Sequence, residues 1–350
     1  MHWPVYGLKH SDKSELLLTE FQHLTAHHFH SCPAYQNILQ KLWQCKHFTS
    51  LAGLPYLPVR LFKYENLLSI PNEEVIKTMT SSGTSGENVS KIYLDKQTAA
   101  MQIKVLARIM SNFIGPKRLP MLIIDCRATV SERLKFSART AGIVGFSMFG
   151  QDVEFALNDD MKLNEMRVIE FVKRHANQPI LIFGFTFIVW LHLIRWLESI
   201  RGKLPLGNGI LIHGGGWKQL QSQSVAAQEF KHRLNAVTGI KKVHNYYGMV
   251  EQTGSIFMEC ELGHMHASVW SDVIIRDPMS FNPLPPGRPG LIQLLSLIPH
   301  SYPGHSLLSE DEGILLGIDN CDCGRKGSYF KVLGRIQNAE ARGCSDTYIR

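Results

Sequence analysis

Seven consecutive small residues, Thr80-Ser81-Ser82-Gly83-Thr84-Ser85-Gly86, are followed at a short distance by Ser90-Lys91. The run uses only Thr, Ser and Gly and cannot pack a core, although the chain around it is 44% hydrophobic. Glycines let a backbone turn through positive φ and approach a ligand, while hydroxyls and free N–H groups donate to phosphate oxygens. Lys91 adds a positive charge. The stretch therefore reads as a phosphate-binding loop in preference to a Ser/Gly linker, because apolar sequence resumes at once as Lys91-Ile-Tyr-Leu.

Other chemistry-bearing clusters lie downstream. Asn245-Tyr-Tyr-Gly-Met-Val-Glu251 carries a single acid in a neutral stretch. Such a carboxylate at a strand end can hold Mg²⁺ on nucleotide phosphates, and Tyr247 can stack on a base; a turn with a solvated glutamate is the plainer alternative. Ser309-Glu-Asp-Glu-Gly313 reads as an acidic turn before a strand over Ile314–Ile318, with one acid available to ribose hydroxyls or simply solvated. Gly334-Arg335 opens a polar tail containing Glu340-Ala-Arg-Gly-Cys-Ser. Cys321-Asp-Cys323 and Cys260-Glu-Leu-Gly-His264-Met-His266 together offer a tetrahedral zinc set, with His264 and His266 both eligible; unpaired thiols in a reducing cytoplasm are the alternative. His23 and His27, four apart, read as a polar helix face, since no carboxylate or cysteine shares their spacing.

The elements that must position these groups follow from apolar spacing. Ser11–Leu42 suggests two helices separated at Pro33, and Leu54–Lys63 an extended, proline-rich segment. A long helix is expected over Leu94–Ile114 and a strand over Leu119–Asp125. The alternation repeats: helix Leu163–His175, strand Pro179–Phe183, helix Phe187–Ser199, strand Gly209–His213, helix Val225–Val237 and a strand leading to Tyr246. This is an α/β pattern with a parallel sheet, whose ligands gather at the carboxyl ends of the strands. From Gly254 onward, short strands and turns suggest a smaller β subdomain.

At 350 residues the chain has room for a sizeable core, and its net charge of +7 is scattered. No basic-aromatic interleaving points to nucleic acid. The most apolar stretch, Ile180–Ile194, is too short for a membrane span and contains His192. Seven cysteines at irregular spacing and the lack of a secretory pattern suggest a cytoplasmic protein.

In order and spacing, the small-residue loop, Tyr247-Gly-x-x-Glu251, the acidic turn and Gly334-Arg335 resemble the acyl-adenylate-forming enzymes. His213-Gly-Gly-Gly-Trp-Lys218 and the ending Gly-Arg-x(5)-Glu-x-Arg-Gly-Cys-Ser are most similar to the acyl-protein synthetase (LuxE-like) family, with phenylacetate-CoA ligase-like proteins as outer relatives. The resemblance runs from about Thr80 to the C-terminus. It implies an adenylate-forming catalytic domain over 1–333, with its β-rich part at about 254–333. Residues 334–350 would then be a hinge and truncated tail replacing most of the usual C-terminal domain.

By the same resemblance, Thr80, Ser81, Ser82, Gly83, Thr84, Ser85 and Gly86 would cradle ATP phosphates, with Lys91 beside them. Tyr247 and Gly248 would lie at the adenine, Glu251 would hold Mg²⁺, Asp311 the ribose, and Arg335 the ribose or the hinge. His213 and Lys218 would be near the acyl site, and Cys260, His264, His266, Cys321 and Cys323 would supply structural Zn²⁺. The implied activity is ATP-dependent activation of a carboxylic, fatty acid, followed by transfer to Cys344 and then to a partner, either an acyl-CoA/fatty acid reductase or a carrier protein. Two alternatives stay open: direct transfer to coenzyme A, and a weakened nucleotide- or partner-binding protein. Val250 stands where the family usually has a threonine, and that substitution motivates the second.

Overall fold

A computed structural model describes residues 3–43, 48–81, 89–131, 138–217 and 224–336. The chain opens with helices α1 (His10–Ser31) and α2 (Pro33–Leu42), a short strand β1 (Leu57–Pro58), the pair β2 (Lys77–Thr80) and β3 (Lys91–Leu94), and helix α3 (Lys96–Ile114). Strands β4 (Leu119–Cys126), β5 (Gly150–Leu157), β6 (Ile180–Phe185), β7 (Gly209–Gly214) and β8 (Lys242–Tyr247) then alternate with helices. Strands β9 (Phe257–Glu259), β10 (Met265–His266), β11 (Ser271–Arg276), β12 (Pro289–Ser296), β13 (Ser306–Ile318) and β14 (Ser328–Arg335) complete it.

The residues divide into two compact units. One is Ser111–Tyr246; the other joins the described residues up to Met110 with those from Tyr247 onward. In the Ser111–Tyr246 unit the strands run parallel in the order β8-β7-β6-β4-β5. Every residue of β4 and β6 is buried, as continuous apolar runs require when both faces of a sheet are covered. Strand β5 has no counterpart in the sequence reading, because Gln151, Asp152 and Glu154 interrupt its apolar pattern. The helix expected over Phe187–Ser199 starts at Thr186 and has a π-helical middle, Val189–Arg195.

In the other unit β9–β14 form an antiparallel sheet in the order β11-β12-β13-β14-β10-β9, and β1 pairs with β13 in parallel. The expected acidic turn is corrected here. Ser309–Gly313 lies inside the 13-residue β13, at a shift in register. Strand β12 pairs with Leu308 and next with Glu312, while β14 takes up the pairing from Asp311, so the acids sit at an irregularity within a strand and not in a turn before one. The Leu54–Lys63 segment is extended only to Pro58 and then winds into a 3₁₀ turn over Val59–Lys63. Helix α1 buries Leu17, Phe21 and Leu24, spaced as one helical stripe, against Phe48, Leu54 and Leu295.

The histidines of α1 do not all lie on a polar face. His28 is fully buried. Its Nδ1 is 2.8 Å from Ser69 Oγ and its Nε2 is 3.2 Å from the Pro299 carbonyl. Its ring stacks on His305 at 4.9 Å, and the neighbouring His27 stacks on His300 at 4.2 Å. Burial holds His28 well below the ordinary imidazole range, with the neighbouring histidines adding to the effect, and brings His305 to about 3. The unfolded chain therefore binds protons that the fold refuses once pH drops below about 6.5. The stability these groups contribute is complete above that value and is lost on acidification, by about 1.4 kcal/mol per pH unit for each histidine. Urea denaturation at about pH 7.5 and about pH 5.5 should show a smaller loss in His305→Gln than in the natural protein. Equal losses would contradict a neutral His305.

Candidate active site

Chemistry-bearing residues of the larger antiparallel unit gather around a hairpin and two strand ends. Strands β2 and β3 pair antiparallel with Thr80 opposite Lys91. Past the last pair, Ser90 N–H donates to Ser81 Oγ at 2.9 Å, and Ser81 N–H donates to the Ser90 carbonyl at 3.1 Å. The chain thus enters and leaves the small-residue run through a closed hairpin neck. Ser82, Gly83, Thr84, Ser85 and Gly86 lie outside the described residues.

Glu251 sits in a 3₁₀ turn, Val250–Gln252, and is buried, which removes the solvated-glutamate alternative. Burial pushes its carboxyl pKa upward, opposed by the Ser90 hydroxyl and the positive charge of Arg335. A carboxylate desolvated in this way suits a bound divalent cation, which would restore the favourable electrostatics that burial removes. The turn is held by its backbone. Tyr302 Oη donates to the Glu251 carbonyl at 3.0 Å, and Gln252 Nε2 donates to the carbonyls of Gly304 at 2.8 Å and Leu294 at 3.1 Å. Just beyond it, Gly254 has φ +87, and a Cβ there would come within 2.7 Å of Gln102 Cα, so only glycine lets the turn close onto α3.

The loop that carries Tyr302 is itself fastened on several sides. Ser301 Oγ donates to the Tyr93 carbonyl of β3 at 2.7 Å, and Ser301 N–H donates to Thr98 Oγ1 of α3 at 3.2 Å. Ser69, Tyr302 and Gln252 were not legible as site residues, because their partners are remote in sequence.

Asp311, Tyr247 and Arg335 meet through strand register. Asp311 of β13 lies opposite Arg335 of β14, and Arg335 Nε is 3.6 Å from Asp311 Oδ1. Tyr247 Oη donates to Asp311 Oδ2 at 2.6 Å. Desolvation raises the pKa of both the Asp311 carboxyl and the Tyr247 phenol, and Asp311 raises the phenol further. Tyr247 therefore remains a protonated donor and fixes one oxygen of Asp311 in place. The Tyr247 ring packs near Phe257 and Phe330, and a Cβ on the following Gly248 would come within 3.1 Å of Ile256.

In the parallel unit, His213 stands near the carboxyl end of β7 and is buried. Burial brings its pKa to about 3, assisted by Lys231 and His244. Its Nδ1 is 2.9 Å from Thr186 Oγ1, and its ring lies 4.8 Å from that of Phe230. Lys218 and Cys344 lie outside the described residues.

The thiols form a separate group. The Cys260–Gly263 turn and the Cys321–Gly324 turn each close with a 3.0 Å backbone hydrogen bond, and their glycines have φ +84 and +82. They bring the ligand atoms of Cys260, His266, Cys321 and Cys323 within 4.8 Å of one another. Three sulfurs and one imidazole at that separation match a tetrahedral structural zinc site. His264 stays outside this set, with Nδ1 3.3 Å from Cys321 Sγ and its ring stacked on Tyr329 at 5.1 Å.

Comparison with known proteins bears on this arrangement. Two curated relatives, the long-chain-fatty-acid–luciferin-component ligases of Vibrio harveyi and Aliivibrio fischeri, are 21% and 22% identical. Each alignment covers 91% of this chain, and 83% and 84% of the relatives. Among solved structures, an open 2-hydroxyisobutyryl-CoA ligase in complex with 2-HIB-AMP and CoA superimposes with a TM-score of 0.72 at 17% identity, over 97% of this chain and 79% of its own. An ATP-bound RpMatB-BxBclM chimera gives 0.50 at 15% identity, over 77% of this chain and 49% of its own. The fold is that of the adenylate-forming enzymes. The family profile described as acyl-protein synthetase, LuxE, matches residues 6–349, so the similarity reaches well upstream of Thr80 and includes α1 and α2. By that match the chain belongs to the LuxE acyl-protein synthetase family, a family of ligases.

Proposed function

We propose that this protein activates a fatty acid with ATP, forming an acyl-adenylate, and then passes the acyl group to a thiol, first that of its own Cys344. The observation that carries this reading is the convergence of Asp311, Tyr247 and Arg335 through the β13–β14 register in a chain of this family. The relatives' names as fatty-acid ligases support the acid, and neighbours holding ATP or an acyl-AMP support the adenylate.

In the first step a carboxylate oxygen of the acid bonds to the α-phosphorus of ATP while the bond from that phosphorus to the pyrophosphate oxygen breaks. No protein nucleophile is needed, only positioning and charge neutralisation. Thr80–Gly86 and Lys91 would hold the phosphates, Asp311 would accept from ribose hydroxyls, Arg335 would steady Asp311, and Tyr247 and Gly248 would border the adenine. Glu251 would hold Mg²⁺, which supplies neutralisation of phosphate charge. In the second step the thiol sulfur bonds to the acyl carbon and the carbon–oxygen bond to AMP breaks. The thioester then goes to a reductase or carrier protein. Cys260, His266, Cys321 and Cys323 would hold a structural zinc that ties the β9–β10 turn to the turn before β14.

Incubation with ATP and radiolabelled tetradecanoic acid tests the route. The expected result is gel-stable, hydroxylamine-labile label that is absent from Cys344→Ala. Label that appears only in added coenzyme A would replace this reading with direct CoA ligation, which the CoA-bound neighbour favours. Glu251→Gln should lower activation about 100-fold or more while leaving the thermal midpoint equal or higher near pH 8, because a buried amide costs less than a buried carboxylate. A destabilised Glu251→Gln with full activity would contradict a cation-holding role. Metal analysis should find about one zinc per chain, reduced in Cys321→Ser together with thermal stability; metal-free protein of undiminished stability would contradict the zinc site.

A further inference from the structure

We infer that Arg325 is a positioning residue for the cluster of Cys260, His266, Cys321 and Cys323, bracing its two turns through Glu261 and offsetting its thiolate charge so that the four groups take zinc; this rests on the structural zinc proposed above. Both members of the brace belong to the ligand turns themselves. Glu261 follows Cys260 directly, and Arg325 lies two residues beyond Cys323. Arg325 donates from Nη1 to Glu261 Oε2 at 2.6 Å and from Nη2 to Glu261 Oε1 at 3.2 Å. A planar guanidinium that faces a carboxylate with two prongs fixes separation and orientation together, which a single point charge does not. The pair therefore sets how far apart the Cys260–Gly263 and Cys321–Gly324 turns stand.

The ion pair alone would be weak. Glu261 is 59% exposed, and a pair open to water on one side contributes little. What gives the brace weight is the other end, because the Arg325 side chain is only 14% exposed. Its backbone N–H and its side chain both hydrogen-bond to the Cys323 sulfur. Its guanidinium carbon lies 5.7 Å from the centre of the Tyr6 ring, and the adjoining Lys326 N–H donates to the Tyr6 carbonyl at 2.8 Å. Arg325 is thus held between the N-terminal segment and the thiols.

Charge decides what this arrangement favours. Three thiolates and a neutral imidazole around a divalent zinc leave one negative charge in a largely buried cluster. One guanidinium on a sulfur cancels that charge where desolvation makes it most costly. A ligating histidine ordinarily donates its second ring N–H to a carboxylate or carbonyl, which orients the ring. Here His266 Nε2 faces Cys323 Sγ at 3.4 Å, and His266 Nδ1 has no hydrogen-bond partner among the described residues. The outer support falls instead on the sulfur side, through Arg325.

Zinc affinity of the full-length protein, measured by competition with a chromophoric chelator, tests this. Arg325→Gln should weaken zinc binding about tenfold or more, and Arg325→Lys, which keeps the charge and loses the fork, should weaken it less. Glu261→Gln should weaken it too, and the double variant should bind no worse than Arg325→Gln alone, because Glu261 acts through Arg325. Thermal midpoints separate this role from that of an ordinary ion pair. Arg325→Gln should lower the midpoint of the zinc-loaded protein and leave that of the zinc-stripped protein unchanged. Affinity of Arg325→Gln within about twofold of the natural protein, or an equal loss of midpoint with and without zinc, overturns the inference and leaves the zinc site standing. If the natural protein itself takes up no zinc, the zinc reading fails and this inference fails with it.

Discussion

The candidate site depends on keeping one carboxyl group, Glu251, out of water. A buried carboxylate is costly unless something compensates it. Here the compensation from within the chain is partial, a serine hydroxyl and the charge of Arg335. The fold holds this unfavourable position through backbone contacts: Tyr302 on the Glu251 carbonyl, Gln252 on Gly304 and Leu294, and a left-handed glycine at 254. Strain of this sort persists where the surroundings over-determine it, and it clusters at functional sites.

That constraint explains why the N-terminal helices belong to the site although none of their residues is proposed to do chemistry. The loop bearing Tyr302 is flanked by Pro299, His300 and His305, which α1 receives through His27 and His28. Ser301 ties the same loop to β3 and α3. The stacked imidazoles thus support the backbone that supports Glu251. The family match beginning at residue 6 agrees with a domain in which the first helices are integral.

What could be read from the residues was what is local. Continuous apolar runs announced β4, β6 and β7, and the order of motifs announced the family. Register across strands was not legible. Ser309–Gly313 looks like a turn because three acids and a glycine are turn-like in composition, yet it runs within a strand because β12 pairs at Leu308 and Glu312 to either side of the shift and β14 pairs from Asp311 onward. That register brings Asp311 to Arg335. Likewise, spacing alone could not choose between His264 and His266; both rings stack on Tyr329 and each touches one thiol, but it is His266 whose ring nitrogen lies within 4.8 Å of all three sulfurs. The buried role of His28 was hidden because its partners, Ser69, Pro299 and His305, are far away in the chain.

The account as a whole turns on whether carboxylate activation happens in this protein. Exchange of radiolabelled pyrophosphate into ATP, run with a panel of saturated fatty acids of graded length and with magnesium present, measures that step without any acyl acceptor. The account predicts exchange that requires the acid, shows a preferred chain length, and disappears when Asp311 is replaced by Ala. Absence of exchange with every acid, or exchange that persists without acid, would contradict it.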